Sequence, residues 1–179
     1  KLLELEEESK SFKSRIHAFP SDVTDAARMV STVDAIELNV GKIALAIFNA
    51  GNFWPASGDR LDVKKFSDTY ALNVMGHVKG LAPVVEKFKA RGSGHVIMVA
   101  SVSGYSGLPT AAAYGASKAA VINMCEALKF DFDPMDIRIQ VVNPGFIETP
   151  LPHKNEFAMP ALMPVEKAVA RIIAGITTG

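Results

Sequence analysis

Four side chains in this 179-residue sequence are of the types that move a proton and hold the oxygen it moves to. Tyr114 and Lys118 stand four apart in an Ala-rich stretch with helical character, so they share one helix face. A free phenol with a pKa of about 10 is a poor base at neutral pH, and bringing it to about 7 takes roughly 4 kcal/mol. One ammonium at ~4 Å contributes on the order of 4 kcal/mol at an effective dielectric of about 20. Lys118 is therefore expected to supply most of that change, with burial working against it. Ser101, thirteen residues before the tyrosine, ends an apolar run and is placed to hydrogen-bond an oxygen on which charge develops. Asn73 lies within Ala71-Leu-Asn-Val-Met-Gly76, inside a long helical stretch. The chemistry these types suit is general acid–base transfer of a proton. A Tyr-x-x-x-Lys pair alone is a weak signal, so its weight rests on its surroundings.

The elements that must position these groups alternate along the chain. The opening Lys1–Lys10 has the composition of an exposed helix end, and Arg15–Phe19 that of a short strand. A helix capped by Thr24 or Asp25 runs to about Asn39 and stops at Gly41, and an apolar strand follows from Ile43 to Phe48. A long helix spans about Val63 to Ala90, a strand His95–Ala100, a Ser/Gly-rich loop Ser101–Pro109 and a helix about Ala112 to Asp131. A strand Ile137–Val142, an irregular stretch Pro150–Pro164 and a helix from about Val165 to Ile176 complete the pattern. Apolar strands alternating with helices predict an α/β domain, a doubly wound parallel sheet, over residues 1–179. In such sheets ligands bind beyond the strands' C-terminal ends. Asp22 follows the first strand, Asn49-Ala50-Gly51 the second, Ser101 the third and Asn143-Pro144-Gly145 the fourth.

Taken together, Tyr114-Gly-Ala-Ser-Lys118, Ser101-Val-Ser-Gly104, the Asn73 segment, Asn49-Ala-Gly51, Asp22-Val-Thr24 and Asn143-Pro-Gly145 followed by Thr149 resemble the short-chain dehydrogenase/reductase family over about residues 15–178. The resemblance implies a Rossmann-like fold and hydride transfer between NAD or NADP and a small-molecule carbonyl or secondary alcohol. It implies Tyr114 as general acid or base, Ser101 on the substrate oxygen, Lys118 on the cofactor ribose and supporting the tyrosine, and Asn73 holding a water in a proton relay. It further implies Asp22 and Val23 against adenine, Asn49, Ala50 and Gly51 at the adenosine half, and Pro144, Gly145, Ile147 and Thr149 flanking the nicotinamide. A homodimer or homotetramer through the two long helices is the family's habit. The family's glycine-rich fingerprint is not in the sequence. By resemblance, the first strand, first helix and second strand lie outside this chain, as does a last strand beyond Gly179. Phe48 stands where the family usually has an asparagine.

Two other functions share part of this pattern: a nucleotide-sugar epimerase or dehydratase, which uses the same Tyr and Lys pair, and a non-catalytic cofactor-sensing or assembly role. Nineteen basic residues balance nineteen acidic ones, so nothing favours nucleic acid or an anionic membrane as a partner. No apolar run approaches the roughly 18 residues of a membrane span. A single cysteine, Cys125, makes a reducing compartment, the cytoplasm, the expectation, and it is read as packing within its helix. His17, His77, His95 and His153 have no metal-ligand spacing, so no metal site is predicted. Phe157, Met159, Leu162 and Met163 suit either a substrate lid or simple loop packing.

Overall fold

The computed structural model describes residues 2–11, 13–56, 58–149, 159 and 161–178. Helix α1 covers Leu2–Glu8, α2 Ala26–Asn39, α3 Val63–Tyr70, α4 Gly76–Arg91, α5 Ala112–Phe132 and α6 Val165–Thr178. Strands β1 (Leu45–Phe48), β2 (Gly94–Val99) and β3 (Ile137–Val142) form a parallel sheet in the order β1-β2-β3. The helix starts follow the sequence signals: the Asp25 carboxylate accepts the Arg28 N–H at 2.9 Å, and Asp62 caps α3 by accepting from Lys65. Helix α4 closes on Gly92, whose φ of +64° is the left-handed geometry that a C-terminal glycine supplies.

Strand alternation decides what each face does. Ala46 and Phe48, Val96 and Met98, and Ile137 and Ile139 point to one side. There they meet Val33 of α2, Leu81, Val84 and Phe88 of α4, and Val121, Ile122 and Cys125 of α5. That side is the core. On the opposite side α6 lies by β3, where Gln140 donates to the Gly175 carbonyl; Ile97 of β2 is fully buried there, while Leu45 and Ile47 of β1 are 40% and 53% exposed. The doubly wound arrangement is thus complete on one face, while on the other it shelters Ile97 of β2 and leaves β1 open.

Arg15–Phe19 forms no strand. A β-segment needs a neighbouring ladder, and among the described residues none runs beside it. Its amides bond instead to side chains of the N-terminal helical segment: Ile16 N–H to Ser9 Oγ at 3.0 Å and Ala18 N–H to the Glu6 carboxylate at 3.2 Å. The single long helix expected over Val63–Ala90 is also interrupted, because Ala71–Met75 is a π-helical segment between α3 and α4.

Phe88 is fully buried, and its ring lies flat against Gly94 at the start of β2: a methyl at that glycine would sit 2.1 Å from the ring. Gly94→Ala must therefore push the largest core side chain of α4 off its seat. We expect a loss of about 2–3 kcal/mol of unfolding free energy in urea titration. An unchanged midpoint would show that the ring has room to give. A second anchor ties α2, α4 and the approach to β1. Arg91 donates to Glu37 and, at 2.9 Å, to the Ile43 carbonyl, while the Ile43 amide donates to the same Glu37 carboxylate at 2.8 Å. Burial would raise the Glu37 pKa, but the bonds from Arg91 and Ile43 outweigh it and hold the carboxyl below its ordinary range.

Candidate active site

Because the three strands are parallel, their C-terminal ends open on one edge, and the turns that follow them line a cleft of about 270 Å³. Asn49 and Gly51 come from the turn after β1, Ser101 from that after β2, and Pro144, Gly145, Ile147 and Thr149 from the segment after β3. Helix α5 contributes Tyr114 and Lys118. Four candidates are not among its lining residues: Asn73 stands behind it, Ala50 turns its carbonyl toward α4, and Asp22 and Val23 sit before α2. The Asp22 carboxylate accepts the Thr24 N–H and hydroxyl at 2.8 Å, and these bonds lower its pKa. Val23 packs against Gly76, where an added methyl would approach it to 3.0 Å.

Tyr114 lies in the first turn of α5 and Lys118 one turn on. The Lys118 ammonium is 5.7 Å from the centre of the phenol ring and donates to the Val99 carbonyl at 2.8 Å. Burial pushes this ammonium down to a pKa of about 8. The Ser101 hydroxyl accepts the Ser103 N–H at 3.2 Å and the Ser103 hydroxyl at 3.0 Å, and it is near enough to the Tyr114 phenol to lower its pKa. Burial raises the Tyr114 pKa, and the neighbouring Ser101 hydroxyl offsets only part of that. The expectation that Lys118 pulls the phenol down is therefore not met by these side chains alone. Desolvation dominates, and the ammonium is itself penalised by the same burial.

Asn73 is fully buried in the π-helical segment. Its Oδ1 accepts the Asn52 N–H at 2.9 Å, and its Nδ2 donates to the Asn52 carbonyl at 3.0 Å and to Ser117 Oγ at 3.1 Å. Ser117 Oγ in turn donates to the Tyr114 carbonyl at 2.7 Å. The asparagine side chain is thus committed to locking the turn after β1 onto the start of α5. A relay water at this residue would have to be held by its backbone carbonyl.

Several site residues carry no sequence signal of their own. Phe53 is buried and stands edge-on to the Tyr114 ring, centroids 5.4 Å apart at 73°. Ser103 orients Ser101, and Asn52 and Ser117 receive Asn73. Ser117 was findable from its spacing, three after Tyr114 on the same helix face. Asn52 and Phe53 become visible only when the loop after β1 is folded against α5, where Ala56 N–H bonds the Thr110 carbonyl at 2.9 Å. Of the expected lid, Met163 bridges to Ile147 and lines a second cavity, about 430 Å³, between β3 and α6. Leu162 is exposed, Met159 is half-buried, and Phe157 lies outside the described residues, as does His153. Among the described residues no cluster of His, Cys, Asp and Glu could hold a metal, and no helix is long and apolar enough to cross a membrane.

The cleft suits a polyhydroxylated, partly aromatic group. Its floor is backbone at Gly51, where a methyl would lie 3.3 Å from Asn73 Oδ1 and 3.4 Å from Lys118 Nζ, and at Gly145, beside which the space is open. An ammonium, three hydroxyls and an amide project from a mainly apolar wall, a donor set that matches a ribose and a carboxamide.

The sequence profile of the short chain dehydrogenases matches residues 1–159. An uncharacterized oxidoreductase of Myxococcus xanthus is 30% identical over 175 residues, covering 98% of this chain and 69% of that protein. The chain spans only 50–55% of the length of three further curated relatives. Among solved structures, a gluconate 5-dehydrogenase from Burkholderia cenocepacia in complex with NADP and tartrate is 28% identical with a TM-score of 0.71, over 74% of this chain and 52% of that one. An NAD+-bound xylitol dehydrogenase superposes with a TM-score of 0.87 at 22% identity, over 99% of this chain and 78% of that one, a likeness of fold. With the phenol, ammonium and serine hydroxyl gathered where the parallel strands end, and with the profile matching most of its length, the chain belongs to the short chain dehydrogenase family.

Proposed function

We propose that this protein exchanges a hydride between the nicotinamide of NAD or NADP and a small carbonyl compound or secondary alcohol, with Tyr114 as the general acid and base. The observation that carries this reading is the convergence of Tyr114, Ser101 and Lys118 on one cleft whose wall includes Asn49, Gly51, Pro144, Gly145, Ile147 and Thr149. The NADP complex of the 28%-identical dehydrogenase supports it. When bound, the nicotinamide supplies or accepts the hydride. Lys118 and Asn49 are the groups to hold the ribose hydroxyls, and Ile147 and Thr149 those to hold the nicotinamide ring and its carboxamide.

In the reducing direction Ser101, its oxygen already accepting from Ser103, turns its own hydrogen toward the substrate oxygen and stabilises the charge that grows there. Tyr114 donates its phenolic proton to the same oxygen. Phe53, edge-on to the ring, restricts how far the phenol swings. The carbonyl of Val99 and the cleft hold Lys118 close to the ring, where its charge favours the phenolate that remains. Asn73 keeps the Asn52 peptide and the start of α5 in register.

This assignment fixes the pH behaviour. Reduction needs the protonated phenol, and burial raises its pKa, so the competent form persists through neutral pH and is lost only in alkali. Oxidation needs the phenolate and gains as pH rises. Steady-state rates of the full-length protein, followed by nicotinamide absorbance with an aldehyde, ketone and alcohol panel, should show reduction level at neutral pH and oxidation climbing. A reduction rate that climbs into alkali would overturn Tyr114 as the acid.

A further inference from the structure

One buried titratable side chain is not used by this chemistry. His77 occupies the first turn of α4, immediately after the π-helical segment, and is 1% exposed. Its Nε2 is 2.9 Å from the carbonyl oxygen of Ala50, while its Nδ1 is buried with no hydrogen-bond partner. A carbonyl only accepts, so Nε2 must carry the hydrogen. A hydrogen on Nδ1 as well would be a buried donor with nothing to meet, and the charged ring would face the Lys118 ammonium of α5. The ring is therefore the neutral Nε2–H tautomer. On its β1 side it meets the Phe48 ring, centroids 6.3 Å apart, and Phe48 offers the following turn no hydrogen-bonding group.

The position of that carbonyl matters because Asn49 and Gly51, on either side of it, line the cleft. Turned toward α4 and held there, the Ala50 carbonyl leaves the cleft side of the turn to its neighbours. Released, the peptide would have to rotate toward water, and on the cleft side water is reached only by crowding the space the cofactor needs. The turn is walled at Gly51, where even a methyl would lie 3.3 Å from Asn73 Oδ1 and 3.4 Å from Lys118 Nζ, so it has little room to shift on that side.

We infer that His77 is a positioning residue for the cofactor: through its Nε2–H bond to the Ala50 carbonyl it fixes the Asn49–Ala50–Gly51 turn in the geometry that admits a nicotinamide dinucleotide. This inference rests on the hydride-transfer reading above. In the full-length protein, His77→Leu raises the Kd for NADH or NADPH, whichever binds the unaltered protein, about tenfold, and changes kcat at saturating cofactor less than about threefold. His77→Gln, whose amide is a donor of similar reach, restores the Kd to within about threefold. A filler of the core would alter thermal stability in both variants without separating their cofactor affinities. On the unaltered protein, long-range nitrogen NMR of labelled histidine reads hydrogen on Nε2 and none on Nδ1 from neutral to mildly acidic pH. Equal Kd for unaltered protein and folded His77→Leu, or an Nδ1–H tautomer, overturns the role of His77 and leaves the hydride-transfer reading standing. Absence of any nicotinamide binding by the unaltered protein overturns both.

Discussion

Tyr114→Phe is expected to lower kcat for hydride transfer by a factor of about 10³, while the cofactor Kd stays within about twofold. The substitution removes one oxygen and keeps the ring, and the ring has its own packing: Phe53 meets it edge-on at 5.4 Å. The cleft therefore keeps its shape and loses only the hydrogen that has to reach the substrate oxygen. Ser101 does not replace it, because its hydroxyl is tied to Ser103 and serves by hydrogen bonding rather than by giving up a proton. Stopped-flow and steady-state rates on the full-length protein measure the effect, with fluorescence titration of the cofactor as the control. A variant retaining a tenth or more of the activity would remove Tyr114 from the reaction.

Lys118→Met should separate stability from activity. The lysine is 3% exposed and its ammonium is pushed down to about 8, which corresponds to a burial cost of about 3 kcal/mol at neutral pH. Methionine fills a similar length without charge. It forfeits the bond to the Val99 carbonyl, leaving a net gain of about 1–2 kcal/mol in unfolding free energy at neutral pH. Turnover falls by about 10² or more, since the cation beside the phenol and a ribose ligand are lost together. The pH dependence marks the cause. The unfolded lysine keeps its proton up to its ordinary value of 10.5, whereas the folded one releases it near 8. Between these two values the unfolded state holds more protons, and the unaltered protein gains stability as pH rises. Urea titrations at neutral and alkaline pH should show the advantage of Lys118→Met shrinking across that window. A variant less stable than the unaltered protein at both pH values would mean that the Val99 bond outweighs the cost of the buried charge.

What the sequence disclosed follows from how far each signal reaches along the chain. Tyr114 and Lys118 are bound by helical spacing, and Ser101 and Asn49–Gly51 by their position after apolar runs, so local pattern sufficed to bring them to one edge. Asn52 and Phe53 act across elements that touch only after folding, and nothing in their neighbours' types distinguishes them from ordinary loop residues. The strand expected at Arg15–Phe19 has suitable residues, yet strand identity depends on a partner, and Ser9 and Glu6 take the amides that a partner would have bonded. The balance at the phenol is hard to read for a related reason: a charge at a given distance can be estimated from spacing, while the size of the burial that opposes it is a property of the closed cleft.

The π-helical segment at Ala71–Met75 also sets which changes of length the chain accepts. It holds one residue more than an α-helix would need, so removing Val74 would yield a more regular helix. Each residue of an α-helix turns it by about 100°. After such a deletion α4, held by Leu81, Val84 and Phe88 in the core, keeps its seat, and everything before it rotates. Asn73 then leaves Asn52 and Ser117 for another side of the helix. Met75→Ala, at a position 44% exposed, should be absorbed quietly. The single-residue deletion next to it should give a folded, helical protein with an unlatched active site. At Met75 the gene can change its letter; around it, with Asn73 as the latch, it cannot change its count.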